Sequence, residues 1–85
     1  MENNLSLVKE NFKELPNNIE AEQSVIGSIL VTNEIFDEVS TIISHVNFYD
    51  PMHQKIFNAI ESMIYKGMLA NPITLKNFFE NEKDD

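Results

Sequence analysis

His45 and His53 are the chain's two histidines, and their spacing argues against chemistry at either. They stand eight residues apart, one in a connecting loop and one in the first turn of a helix, without the i, i+4 pairing of a helical zinc site. No cysteine is present, which removes disulfides, thiolate zinc ligands and thiol nucleophiles. Ser24, Ser28, Ser40, Ser44 and Ser62 supply hydroxyls, but none lies in a G-x-S-x-G turn or another recognised nucleophile context. Carboxylates abound, yet the sequence pairs none of them across a cleft. A nucleotide-driven motor needs a glycine-rich loop followed by Lys and then Ser or Thr. The chain has two glycines: Gly27 is followed by Ser28 and Gly67 by Met68, so no such loop can be built and ATP hydrolysis by this chain is excluded. The expectation is a chain without catalytic, cofactor or metal residues of its own.

Charge narrows the field further. The formal net charge is −8, and between Lys13 and Lys55 stand Glu14, Glu20, Glu22, Glu34, Asp37, Glu38 and Asp50 with no Lys or Arg. Affinity for nucleic acid rests mainly on cations neutralising phosphate, so direct DNA binding is not expected. The amino terminus lacks the apolar core of a secretory signal. No run approaches the ~20 apolar residues of a membrane span, and a cytoplasmic location follows by default.

The elements that would position these residues can be read from apolar spacing and caps. Hydrophobic residues make up 42 % of the 85 residues and are spread throughout, enough for one small domain. Residues 1–14 read as a flexible or partly helical tail, with Leu5, Val8 and Phe12 at helical spacing and Leu15-Pro16 ending any helix. A helix over 19–31 buries Ile19, Val25, Ile26, Ile29 and Leu30, capped by Asn17 (with Glu20 as a capping box) or by Asn18. Glu22 falls inside its apolar arc and needs a reason: a structural carboxylate bonded to backbone or a nearby side chain. Gly27 sits mid-helix, where glycine costs about 1 kcal/mol relative to alanine, so another helix is expected to approach closely there.

A second helix over 33–44, capped by Thr32 or Asn33, buries Ile35, Phe36, Val39, Ile42 and Ile43. Asp50 followed by Pro51 starts a third over 51–66, with Met52, Ile56, Ala59, Ile60, Met63 and Ile64 as its stripe, Phe57 widening it and Gly67 as its stop. His53 lies inside that apolar face and is read as a packed histidine with a hydrogen-bond partner. A fourth helix over 74–82, capped by Thr74 or beginning near it, buries Leu75, Phe78 and Phe79. No stretch alternates as a strand. The expected fold is all-α, a small orthogonal bundle of four main helices over residues 15–82, with a frayed acidic end at 83–85.

Two stretches carry a resemblance. Leu15-Pro16-Asn17-Asn18-Ile19-Glu20-Ala21-Glu22-Gln23-Ser24-Val25-Ile26-Gly27-Ser28-Ile29-Leu30 and Asn47-Phe48-Tyr49-Asp50-Pro51-Met52-His53-Gln54-Lys55-Ile56-Phe57-Asn58-Ala59-Ile60 resemble the amino-terminal domain of DnaB-type replicative DNA helicases in order and spacing. A weaker match runs on through Gly67, Pro72-Ile73-Thr74-Leu75 and Phe78. The residues that bear the resemblance, Asn18, Glu22, Gln23, Gly27, Phe48, Tyr49, Asp50, Pro51, His53 and Phe57, are read as maintaining a fold.

The resemblance implies a hexameric, ATP-dependent helicase at the replication fork, with ATP and magnesium in a carboxy-terminal motor. It also implies other helicase subunits and primase as partners. In that family a helical hairpin following the globular helices makes dimer contacts and helps engage primase; this chain stops at Asp85, ahead of where it would lie. The competing reading is a free-standing helical adaptor that binds a replication protein. A helix-turn-helix DNA binder would need a basic recognition helix that the sequence does not contain. The isolated chain is expected to turn over no ATP and to bind single-stranded DNA more weakly than micromolar at physiological salt, which a phosphate-release assay and an anisotropy titration check.

Overall fold

A computed structural model describes residues 18–83; the tail at 1–14, the Asn17 capping box and the last acidic residues lie outside the described residues. Among the described residues all regular structure is helical, with no strand. Helix α1 spans Ile19–Val31, α2 Phe36–Val39, α3 Pro51–Tyr65 and α4 Pro72–Lys83, with single 3₁₀ turns at Asn33–Ile35 and His45–Asn47.

Asn18 is the cap of α1, its side-chain oxygen accepting from the Ala21 N–H at 2.9 Å. The buried face of α1 is Ala21, Glu22, Val25, Ile26 and Ile29; Ile19, expected in that arc, is 39 % exposed because it sits at the helix's first position. Asp50 caps α3 by accepting from the Met52 N–H at 2.7 Å, and Pro51 takes the first helical position. The buried stripe of α3 is His53, Phe57, Ala59, Ile60 and Met63. Met52, expected within it, points to solvent, and Ile56 and Ile64 are half-buried at its edges. The helix stops at Gly67, where φ is +78°. The Met68 N–H reaches the Met63 carbonyl at 2.8 Å and the Gly67 N–H reaches Ile64 at 3.0 Å, the two bonds of a Schellman motif.

The second helix is much shorter than the spacing predicts. The helical stretch starts where Thr32 predicts, since Thr32 is the cap of the 3₁₀ turn Asn33–Ile35 that runs straight into α2, but it ends at Val39 rather than Ser44. The Asn33 amide ties this turn to α1 and to the connection before α4: it donates to the Ile29 carbonyl at 2.8 Å and the Ala70 carbonyl at 2.9 Å, while its oxygen accepts from the Ala70 N–H at 2.9 Å. After Val39 the hydroxyls of Ser40 and Thr41 bond back to the Asp37 and Glu38 carbonyls, and the Thr41 and Ile42 amides settle on partners three residues back. Such local bonds compete with the helical ladder and unwind it. Phe36, Val39 and Ile43 are buried as expected, but Ile42 is exposed.

The fourth helix begins two residues earlier than Thr74. Asn71 does for it what Asp50 does for α3: its side-chain oxygen accepts from the N–H groups of Ile73 and Thr74, both at 2.9 Å, ahead of Pro72 in the first turn. Thr74 reciprocates, its hydroxyl accepting from the Asn71 N–H at 2.9 Å. Leu75 is buried, and Phe78 and Phe79 are half-buried against the core.

The core gathers between α1 and α3. Phe57 sits between Phe36 and Phe48, with ring centroids 5.4 Å and 5.1 Å away, and all three rings are buried. Burying each stabilises the fold by about 1.5–3 kcal/mol. The close helix approach expected at Gly27 is absent: a Cβ built there meets nothing within 4 Å.

The two glycines should therefore respond in opposite senses. Gly27→Ala is expected to raise stability by about 0.5–1 kcal/mol, since it gains helix propensity in open space. Gly67→Ala is expected to lower it by about 1 kcal/mol, because its φ lies in the left-handed region. Urea melts of both variants beside the parent chain check the pair.

Candidate functional site

Glu22 is fully buried on the first turns of α1. A lone carboxylate there would be costly, since removing charge from water is tolerated only with partners. It has three, all from one short stretch beginning 27 residues later: the Tyr49 N–H at 2.5 Å, the Asp50 N–H at 3.3 Å and His53 Nδ1 at 2.8 Å. The His53 ring nitrogen and the Glu22 carboxylate share one buried hydrogen bond.

The stretch that meets Glu22 is itself held from several sides. Phe48 is buried against Phe57, and the edge of the His53 ring meets the Phe48 ring at 6.5 Å between centroids. The Gln54 side chain donates to the Phe48 carbonyl at 2.6 Å, and the Gln54 N–H reaches the Asp50 carbonyl at 3.0 Å. Asp50 thus serves three ends at once: its N–H goes to Glu22, its carbonyl to the α3 ladder, and its side chain to the cap. Every buried side-chain nitrogen and oxygen of the described residues has a hydrogen-bond partner.

Of the residues singled out in the sequence, Glu22, Tyr49, Asp50 and His53 form this cluster directly, and Phe48 and Phe57 pack beside it. Asn18 and Pro51 start the two helices it joins. Gln23 is exposed, and Gly27 lies away from it on open surface. Sequence reasoning missed Gln54 and Asn33, whose ties run to backbone groups that no spacing announces. It also missed Asn71, although Asn71-Pro72 repeats the pattern of Asp50-Pro51. His45 stands apart, beside Pro51, Gln54, Lys55 and Asn58 around a shallow open depression. Among the described residues no group of three or more His, Cys, Asp or Glu could hold a metal ion.

The arrangement is a structural lock joining α1 to the start of α3. Its residues are those of the two quoted stretches, and comparison with known proteins gives the same family. The sequence matches the DnaB-like helicase N terminal domain over residues 14–85. The chain belongs to that family. Similar proteins include a replicative DNA helicase DnaB from Rickettsia typhi, 38 % identical over 94 % of this chain and 17 % of the relative. Another from Rickettsia bellii is 44 % identical over 81 % of the chain and 14 % of the relative. A third, from Pasteurella multocida, is 37 % identical over 76 % and 13 %. The chain thus spans about one-sixth of the Rickettsia typhi protein it matches. No solved structure matches it significantly. Among the described residues of this DnaB-like N-terminal domain, no helix is long and apolar enough to cross a membrane.

Breaking the lock has a definite signature. Glu22→Gln keeps the shape but turns an NH₂ group toward donors, leaving at least one buried group unsatisfied, so stability is expected to fall by about 1–3 kcal/mol. His53→Ala removes a buried partner from the carboxylate and should cost about 3 kcal/mol. Added zinc should leave the melting temperature of the parent chain unmoved. Thermal and urea melts of the two variants, with the zinc titration alongside, check all three.

Proposed function

We propose that this chain is the amino-terminal assembly and partner-binding domain of a hexameric, ATP-dependent replicative DNA helicase, with other helicase subunits and primase as its partners. The observation that carries this reading is the family match over residues 14–85, joined to relatives named as replicative DNA helicases. The chain's own residues are compatible with it. The chain's two glycines are spent inside and at the end of helices, so the residues present do not fit ATP and magnesium, which would belong to a motor elsewhere in such a protein. Its part is then to hold subunits and partners in place while the motor works. Direct DNA contact is no part of this role, given a net charge of −8.

Assembly is the property to test. A stable interface usually buries about 1,200–2,000 Å² in total. The four helices commit most of their large apolar residues to their own core. Residues 1–85 alone are therefore expected to be largely monomeric at micromolar concentration and to bind the primase carboxy-terminal domain weakly. A longer version that includes a following helical hairpin should dimerise and bind primase more tightly. Sedimentation of both forms, each titrated with that primase domain, checks this. Tight dimers or full primase affinity from residues 1–85 alone would move the interface onto the globular helices.

A further inference from the structure

We draw no further inference here: the strongest candidate, the surface patch of exposed Tyr65, Met68, Leu69 and Ile73 where α3 turns into α4, carries no proposal because nothing in the structure shows what covers it.

Discussion

A carboxylate without water has to be surrounded by donors, and everything in this small fold is arranged so that Glu22 is. The requirement is demanding because the donors come from backbone as well as side chain: two N–H groups and one ring nitrogen must converge on two oxygens. Backbone donors cannot be moved by choosing another rotamer. The path of residues 48–50 is therefore fixed relative to α1, and with it the point and direction in which α3 sets out. An apolar residue at position 22 would pack as well against Val25 and Ile26, but it would leave those N–H groups dry. Burial of the Phe36, Phe57 and Phe48 rings supplies the driving force; the carboxylate selects one arrangement in which they are buried.

What the sequence discloses and what it conceals divide along chain separation. Caps and stops act over a few residues, so Asp50, Pro51 and Gly67 were legible, and α1 and α3 began where their residues put them. The position of Glu22 inside an apolar arc announced that partners must exist, and His53 on an apolar face announced that it needed one. Nothing in either stretch says they serve each other, since periodicity carries no information between helices. The helix expected over 33–44 falls short for a local reason instead: Phe36, Val39 and Ile43 have helical spacing and are buried, but the Ser40 and Thr41 hydroxyls bond back to the Asp37 and Glu38 carbonyls and the helix ends at Val39. Gly27 shows the reverse case: its place in mid-helix implies a close neighbour, and a Cβ there would meet nothing within 4 Å.

The family resemblance and the packing explain different residues. Asn18, Glu22, Phe48, Asp50, Pro51, His53 and Phe57 each have a visible duty as cap, lock or core. Gln23 and the ring of Tyr49 face outward, and the fold gives no account of their identity; nor does packing account for Gly27.

Connections between helices are ordinarily where chains gain and lose residues. The turn from α3 to α4 is built differently. Gly67 closes one helix, Asn71 opens the next, and between them Ala70, fully buried, has both its backbone groups taken by the side chain of Asn33. Because the tie is to main chain, the identity of residue 70 matters only through its small size. The number of residues on either side matters more: a single insertion would shift a different peptide group under the Asn33 amide and rotate α4 away from the core. The segment is thus a calibrated spacer, indifferent to much of its spelling and intolerant of any change in its count.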